Sequence, residues 1–390
     1  MLYRRRVVYD AVVVGLGAMG AATLAELARR GRRVVGLEQF ALPHARGSSQ
    51  GGTRIIREAY FEHPLYVPLV QRAYAAWQAL EADTGTRLLV PTGGLTIGPP
   101  DGRLVAGALD SARRHGLAHE VLTAADVTRR HPGVRIPAGA VAVAEPRAGV
   151  LLAARAIAAC LDVARRHGAE LRTGDAVGGW EAGPDGVRVH AGGETIAAAR
   201  LVLAAGPWMP ALVPELAPHL SIERNVVHWF MPRGTAPPGP DRLPVLVIED
   251  APDHLLYALP SMRALGADLE EGVKFARHHG GVTGTADTID RTTSADDVRA
   301  IGPNVRRYLP EVDPMPVRSA VCCYTNAPDG HFIVDRHPAH DRVVVLSACS
   351  GHGFKFASVL GAIAANMVDD VNVHGDLAPF AIGRYSSPRR

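Results

Sequence analysis

The stretch that decides the fold is AVVVGLGAMGAATLAELARRGRRVVGLE, residues 11–38. Ala11–Val14 is a run of small and β-branched residues that predicts a buried strand, and the Ala- and Leu-rich residues 21–30 predict a helix. A second predicted strand, Val34–Leu37, ends at Glu38, which lies 18 residues beyond Gly20. Strand, glycine turn, helix, strand and acid in this order are typical of a dinucleotide-binding βαβ unit.

Three glycines form the predicted phosphate-binding turn between the first strand and the helix. Gly15 permits the tight turn, Gly17 lets the backbone approach a pyrophosphate, and Gly20 allows the helix to pack closely on the strand. The positive end of the helix then faces the phosphates, and Glu38 accepts hydrogen bonds from a ribose. We therefore predict that these four residues bind the cofactor.

Length and composition exclude several classes of protein. With 390 residues and 47% hydrophobic residues, the chain is long enough for two domains with real cores. Its formal net charge is +3, from 42 basic and 39 acidic residues, which gives no indication of nucleic-acid binding. No apolar run approaches the roughly 18 residues of a membrane span. The expected partner is a small molecule.

Cysteine usage favours a reduced, cytoplasmic setting. The chain has four cysteines, Cys160, Cys322, Cys323 and Cys349, and their spacing suits neither a zinc site nor a disulfide framework. We expect no metal. The basic start, Met1–Arg6, is followed by a short apolar run without a small-residue cleavage site, so no export signal is expected.

Two later segments repeat the strand-to-glycine-turn pattern. Leu201–Leu203 predicts a buried strand that ends in the turn Ala204–Trp208, and Val343–Leu346 predicts another. The last is followed by Ser350–Phe354, which leads into an amphipathic helix through about Met367. A second helix N-terminus near the cofactor suits a flavin, whose reduced ring carries negative charge, better than a nicotinamide.

The chain resembles the flavin-dependent secondary-amine oxidases typified by monomeric sarcosine oxidase, N-methyltryptophan oxidase and pipecolate oxidase. Six ordered motifs carry the resemblance nearly end to end: GLGAMG (15–20), GSSQGGTRIIREAY (47–60), AAGPW (204–208), VKFARHHGG (273–281), CCYTNAPDGHFIVDRHP (322–338) and SGHGFKFASVLG (350–361). The resemblance implies bound FAD and an α/β fold of mixed α+β character. A discontinuous Rossmann-like FAD-binding domain (1–85, 150–218 and 322–390) is expected beside a second, mainly antiparallel β-sheet substrate domain (86–149 and 219–321).

The family joins the cysteine of its Cys-x-Tyr-Thr motif covalently to the flavin, and Cys322 occupies that place. Adjacent side chains of an extended segment point to opposite faces, so Cys323 is expected to be a small packing residue. An ordinary buried thiol beside a noncovalent flavin, and a vicinal disulfide, remain alternatives. Further cofactor contacts are expected from Ser48, Arg57, Val177, Gly206, Trp208, Gly351, Gly353, Phe354 and Lys355.

The resemblance also implies how the substrate is held. Arg54 and Lys355 match the family's pair of cations for a substrate carboxylate, and Lys274 matches a lysine placed over the flavin for the reaction with oxygen. Tyr257 and His278 match pocket residues, although His279 leaves the last assignment open by one position. The alternative for Arg57 is a salt bridge that supports the loop.

Two departures from the family pattern matter for the site. Gln50 stands where the family commonly has histidine, so any role of that histidine does not carry over. The residues between Tyr257 and Lys274 are several positions longer than the family pattern, and this stretch contributes to the pocket.

The expected activity is oxidation of sarcosine or a similar N-methyl amino acid to an imine, which water hydrolyses to the amino acid and formaldehyde. Oxygen is reduced to hydrogen peroxide, and a monomer is expected from the family. A cyclic imino acid such as pipecolate or proline, or a bulkier N-alkyl amino acid, is an alternative substrate. A flavin dehydrogenase with an acceptor other than oxygen is a further alternative.

Overall fold

A computed structural model of the protein describes residues 9–373 and 377–385. The expectation that concerns Met1–Arg6 lies outside the described residues. The described strands are β1 (Tyr9–Val14), β2 (Val34–Glu38), β3 (Thr53–Ile56), β4 (Leu89–Pro91), β5 (Gly94–Gly98), β6 (Glu120–Thr123), β7 (Val141–Glu145), β8 (Gly149–Leu152), β9 (Glu170–Thr173), β10 (Val177–Gly183), β11 (Gly186–Ala191), β12 (Glu194–Leu203), β13 (Ser221–Pro232), β14 (Val245–Ala251), β15 (His254–Leu259), β16 (Val273–His278), β17 (Thr283–Gly284), β18 (Val312–Asn326), β19 (Ile333–His337) and β20 (His340–Ser347). The described α-helices are α1 (Ala18–Arg29), α2 (Tyr66–Thr84), α3 (Arg103–Arg114), α4 (Ala124–Arg130), α5 (Ala153–Arg166), α6 (Met209–Leu212), α7 (Ala295–Tyr308) and α8 (Ala357–Val368).

An eight-stranded sheet carries the predicted dinucleotide unit. Its parallel part has the order β9, β2, β1, β12, β20, and β10, β11 and β19 add antiparallel strands. Because β1, β12 and β20 are parallel neighbours, their carboxyl ends meet at one edge of the sheet. Each of the three strands is followed there by one of the three glycine turns, so the topology explains why segments far apart in sequence build one site.

A nine-stranded sheet forms the second layer. Its order is β17, β13, β16, β15, β14, β5, β7, β6, with β18 on the other edge of β13, and all its pairings are antiparallel except that of β14 with β5. The antiparallel strands β3, β8 and β4 form a third, small sheet. The expected fold class, a Rossmann-like unit beside a mainly antiparallel sheet, is confirmed.

Helices cover the faces of these sheets and bury their apolar sides. Helix α1 packs between α5 and α8, and α2 packs on α8, in one large core that reaches the first sheet. Helix α7 packs against β18 and β16, and its Ile301, Val305 and Tyr308 join the core of the nine-stranded sheet. Among the described residues, no helix has the length and apolar character needed to cross a bilayer.

Most predicted elements agree with the structure, and two differ in detail. Helix α8 was expected directly after the Ser350–Phe354 turn, but a 3₁₀ turn, Phe354–Phe356, comes first, and α8 is buried nearly all round rather than amphipathic. The predicted domain boundary between residues 321 and 322 falls inside β18, so Cys322 lies on a strand of the nine-stranded sheet. The domain boundaries themselves stay a prediction.

Candidate active site

A cavity of about 890 Å³ lies between the carboxyl edge of the eight-stranded sheet and the face of the nine-stranded sheet. It is lined by every residue singled out in the sequence for catalysis or cofactor binding except Gly20. Gly20 lies behind the turn, where an added Cβ would overlap the carbonyl oxygen of Gly15. Its predicted role, close packing of the helix on the strand, is therefore the one that the backbone requires.

The glycine turn after β1 has the geometry of a phosphate cradle. Gly15 has a φ of 89°, and a Cβ there would lie 2.6 Å from the oxygen of Ala204. Helix α1 begins at Ala18, one residue after Gly17, so its first amides point toward the cavity. Glycine is thus needed for both the backbone conformation and the close approach of β12.

Glu38 lies at the end of β2, beside this turn. Its Oε2 accepts a 2.9 Å hydrogen bond from the Leu16 amide, and its Oε1 lies 3.4 Å from Nε2 of His44. Burial raises the pKa of the Glu38 carboxyl, but His44 and the Leu16 and Phe40 amides together lower it by more than burial raises it. The net pKa is therefore below its usual value. An ionised acceptor at this point suits the ribose hydroxyls of a dinucleotide.

Two buried polar atoms on the cavity wall have no hydrogen-bond partner among the described residues: Ser48 Oγ and Gln50 Nε2. Buried polar groups are normally paired, so their isolation indicates that a ligand satisfies them. Together with the glycine cradle and Glu38, these atoms fit a dinucleotide cofactor with a polar ring edge. Gln50, which stands where a histidine is expected from the family resemblance, thus places an uncharged amide in the cavity.

The two adjacent cysteines face different surroundings, as the alternation of an extended strand predicts. Cys322 lines the cavity, and its Sγ lies 3.6 Å from the backbone carbonyl oxygen of Ser48. Cys323 packs instead in a small apolar cluster with Ile222 and Ile289. Burial raises the pKa of the Cys322 thiol, while nearby Arg54 and Lys274 lower it in part.

A first cluster of charges lies where β3 meets β16. Lys274 is 4% exposed, donates a 3.1 Å hydrogen bond to the Thr53 oxygen and lies over the indole of Trp229. Burial, and next the charge of Arg54, lower the pKa of Lys274 to about 7. Glu270, from the long β15–β16 connection, opposes this shift. We call Arg54, Lys274 and Glu270 the first charge cluster.

The Arg54 guanidinium donates its hydrogen bonds to backbone carbonyl oxygens. Its Nη1 donates to the backbone carbonyl oxygen of Thr53 at 2.8 Å. Its Nη2 donates to the backbone carbonyl oxygens of Ser48 and Gln50, at 2.9 and 2.6 Å. The guanidinium also lies over the ring of Phe354. Arg54 therefore fixes the loop that carries Ser48 and Gln50.

A second cluster of charges lies around the ring of Tyr60. The Arg57 guanidinium is 4.4 Å from the ring centroid and donates from Nη2 to both oxygens of Glu62, at 2.9 and 2.7 Å. Lys355 Nζ donates to Tyr60 Oη at 3.1 Å and to the His352 oxygen at 2.7 Å. Burial, and next the charge of Arg57, lower the pKa of Lys355 to about 7. We call Arg57, Glu62 and Lys355 the second charge cluster.

The structure thus pairs the site arginines differently from the sequence prediction. Lys355 has Arg57, not Arg54, beside it over Tyr60, while Arg54 accompanies Lys274. The salt bridge expected as the alternative for Arg57 is present. Arg57 and Lys355 carry two positive charges against the single charge of Glu62 when Lys355 is protonated. Glu145 also acts on Arg57, but burial raises the pKa of its own carboxyl, so the second cluster keeps a positive surplus.

Aromatic and imidazole groups form a further part of the cavity wall. His278 Nδ1 lies 3.2 Å from Tyr324 Oη, and the Tyr257 ring lies edge-on to His278. Burial, and next His279, hold the pKa of His278 well below its usual range, so its imidazole is neutral. His279 points away and contacts Glu223, which resolves the choice between the two histidines in favour of His278 as the cavity residue.

Sequence reasoning did not single out several residues of the cavity wall, among them Trp229, Glu62, Glu270 and Arg318. Trp229 and Arg318 belong to β13 and β18, where alternating polar and apolar residues could have indicated which side chains share a face. Glu62 follows Arg57 by five residues outside any regular element. Glu270 belongs to the stretch that the family motifs do not cover. Among the described residues, no group of His, Cys, Asp or Glu side chains could hold a metal ion.

Comparison with known proteins extends these observations over the whole chain. The profile of the family described as FAD dependent oxidoreductase matches residues 10–367. Monomeric sarcosine oxidase from Streptomyces avermitilis is 43% identical over 361 residues, which cover 92% of this chain and 93% of that protein. Human peroxisomal sarcosine oxidase is 34% identical and covers 97% of both chains. N-methyl-L-tryptophan oxidase from Salmonella arizonae is also 34% identical, over 97% of this chain and 99% of the relative.

Among solved structures, NikD, described as an unusual amino acid oxidase essential for nikkomycin biosynthesis, superposes with a TM-score of 0.83. The two sequences are 25% identical, over 96% of this chain and 97% of NikD. Glycine oxidase from Geobacillus kaustophilus superposes with a TM-score of 0.79 at 21% identity, over 96% and 98% of the two chains, which shows a shared fold.

Proposed function

The chain belongs to the FAD-dependent oxidoreductase family of the sarcosine oxidases, and from this premise we propose that it oxidises small secondary amino acids, with sarcosine as the first candidate. The observation that carries the proposal is the second charge cluster. Arg57 and Lys355 are 5% and 6% exposed, and their charges exceed that of Glu62 by one. A single substrate carboxylate would balance this buried surplus.

Each part of the cavity has a role in this proposal. Lys355 and Arg57 bind and orient the carboxylate, which converts binding energy into placement of the amine and its N-methyl carbon. Neutral His278, with Tyr257, forms an uncharged wall that disfavours a protonated amine and excludes water from the reacting carbon. When bound, FAD supplies a two-electron acceptor that takes a hydride equivalent from the amine and returns the electrons to oxygen, giving hydrogen peroxide. Lys274 provides a positive charge that stabilises the negative charge developing on oxygen.

Arg57 is preferred to Arg54 as the partner of Lys355 because of its position. Both Lys355 and Arg57 lie over one aromatic ring, whereas all the hydrogen bonds of Arg54 go to backbone oxygens of its own loop. The Arg57 guanidinium has five N–H donors, so it can bind a substrate carboxylate while it still donates to Glu62.

The proposal is tested by mixing the enzyme anaerobically with a panel of amines and recording the loss of oxidised-flavin absorbance. Sarcosine, N-methylalanine, N-methyltryptophan, proline and pipecolate separate a small N-methyl pocket from a bulky or cyclic one. We expect sarcosine to reduce the flavin at the lowest concentration. Reduction by proline and pipecolate alone would assign the alternative activity, oxidation of a cyclic imino acid. No reduction by any of the five amines would contradict the proposal.

Cys322 is proposed as the covalent attachment point of the flavin, because its thiol lines the cavity beside Arg54 and Lys274, whose charges partly oppose the rise in its pKa that burial causes. Cys322→Ser should release its flavin into the supernatant on acid precipitation, whereas the wild type should retain it in the pellet. Cys323→Ser is the matched control and should retain the flavin, since Cys323 packs in an apolar cluster. Release from Cys323→Ser and not from Cys322→Ser would refute the assignment.

Carboxylate binding should weaken as pH rises through about 7, where Lys355 loses its proton. A bound carboxylate raises the pKa of Lys355 in the complex, so affinity is constant below pH about 7 and falls by up to about tenfold per unit above it. The measurement is the dissociation constant of methoxyacetate, read from the flavin spectrum between about pH 5.5 and 9, a range in which its carboxylate is ionised. Lys355→Arg stays charged and should flatten the profile. A wild-type profile that is already flat would exclude Lys355 as the titrating group.

A further inference from the structure

The connection between β15 and β16, residues 260–272, is folded back over the cofactor cavity. Its Asp268 forms a bidentate ion pair with Arg155 of α5, at 2.7 and 2.6 Å. Leu269 is buried, and the Gly272 amide donates to Ser261 Oγ at 3.3 Å, which closes the base of the segment. The long connection is therefore held at both its middle and its ends, so the residue after Leu269 has a fixed position.

That residue is Glu270, and its carboxylate is hydrogen-bonded to the loop that carries Ser48 and Gln50. Both Glu270 oxygens accept from the Gly52 amide, at 2.9 and 3.1 Å. A Cβ at position 52 would overlap Oε2 of Glu270, so the contact depends on glycine there. Among the described residues, Glu270 makes no direct ion pair, although it lines a cavity that contains buried cations.

The three members of the first charge cluster converge on one backbone position. A Cβ placed at Gly51 would lie 3.7 Å from Arg54 Nη1, 3.7 Å from Glu270 Oε1 and 4.0 Å from Lys274 Nζ. Neither cation has a direct ion pair with a described carboxylate, so they repel each other within a poorly solvated wall. Glu270 is the carboxylate that shares this position with the two cations.

We propose that Glu270 is a positioning residue for Lys274: fixed on the Gly52 amide, its carboxylate offsets the charge of Arg54 and keeps the Lys274 side chain an ammonium. This inference rests on the proposed function, in which a charged Lys274 promotes the reaction with oxygen. This role also explains what the long connection between β15 and β16 contributes. The connection supplies a negative charge that the family motifs around Lys274 do not contain.

The other groups that face Lys274 do not replace this acid. Cys322, on β18, has its thiol pKa raised by burial and is neutral. Arg318, also on β18, lies over the same Trp229 indole as Lys274 and adds positive charge. Burial and Arg54 lower the pKa of Lys274, and Glu270 is the first cause that raises it.

The composition of the chain makes this inference directly measurable. Of its 42 basic residues, Lys274 and Lys355 are the two lysines, and the other 40 are arginines. Holoenzyme labelled with ¹³C at lysine Cε should therefore give two side-chain resonances, which a Lys274→Arg sample assigns. Each resonance is followed from about pH 5.5 to 9.5, and its midpoint reports the charge of one lysine.

Glu270→Gln keeps an oxygen to accept from the Gly52 amide but removes the charge. We expect it to lower the Lys274 midpoint by about one pH unit, leaving that of Lys355 within about 0.3. The pH above which reoxidation of the reduced flavin slows should fall by the same amount. Glu271→Gln, which removes the neighbouring exposed charge, is the matched control and should move neither midpoint.

A Lys274 midpoint that stays within about 0.3 unit in Glu270→Gln would overturn the proposal, as would equal shifts of both lysines or an equal shift in Glu271→Gln. The titration needs no amine substrate. A chain that failed to oxidise sarcosine would refute the proposed function and leave this measurement of Lys274 fully interpretable.

Discussion

Lys274→Met should slow the reoxidation of the reduced flavin by oxygen by roughly 10²- to 10³-fold, the loss typical when one fixed electrostatic partner of a developing charge is removed. Its reduction by sarcosine should change by less than about tenfold, because the substrate carboxylate is assigned to the other cluster. Methionine preserves the length and apolar stem of lysine, which lies over Trp229. The two half-reactions are measured separately by stopped-flow absorbance.

Lys355→Met is the matched control, since it removes the only other lysine of the chain. It should impair reduction by sarcosine and leave reoxidation nearly unchanged. Equal losses in both half-reactions of Lys274→Met, or the same pattern in both variants, would contradict the separation of roles between the two clusters.

Arg57 provides the second large effect, on substrate affinity. Its loss alone would leave the Glu62 carboxylate, whose side chain is 15% exposed, without its ion-pair partner, at a cost of up to about 3–5 kcal/mol in folding free energy. The informative variant is therefore Arg57→Met with Glu62→Gln, which removes the pair together. A bidentate pair of charge-assisted hydrogen bonds, each contributing about 1.5–3 kcal/mol, would be lost, so the dissociation constant of sarcosine should rise roughly 100-fold or more.

Arg54→Met separates this account from the alternative in which Arg54 holds the carboxylate. Because Arg54 donates to the oxygens of Ser48 and Gln50, its loss should loosen the cofactor loop and change the flavin spectrum. It should change sarcosine affinity less than the Arg57/Glu62 double variant does. Dissociation constants come from the saturation of anaerobic flavin reduction. A larger affinity loss in Arg54→Met would return the anchoring role to Arg54.

The sequence predicts well those features that depend on local rules. The glycine turn and Glu38 follow from the βαβ pattern, and the structure brings them to one edge of the parallel part of the eight-stranded sheet. The opposite surroundings of Cys322 and Cys323 follow from the two-residue period of a strand. Both inferences need only neighbours in sequence, and the structure confirms where these residues lie. The cofactor contacts of the turn and Glu38 stay a prediction.

The assignment of arginines to lysines could not be obtained in this way, although a signal was present. Arg54 and Arg57 are three residues apart in a nearly extended segment, an odd spacing that directs their side chains to opposite faces. Which lysine each one meets depends on contacts across more than 200 residues. The same holds for Glu270, which meets the Gly52 amide 218 residues away through a connection without periodic pattern.

The central claim is that this cavity holds an amine by its carboxylate and passes the electrons to oxygen. The most direct measurement records oxygen uptake and peroxide together, with sarcosine and with N-methylethanolamine, which keeps the N-methyl amine but lacks the carboxylate. The account predicts one peroxide per oxygen consumed with sarcosine, and a rate at least roughly 100-fold lower at equal concentration with N-methylethanolamine. Equal rates for the two amines, or flavin reduced by sarcosine without oxygen uptake, would contradict it.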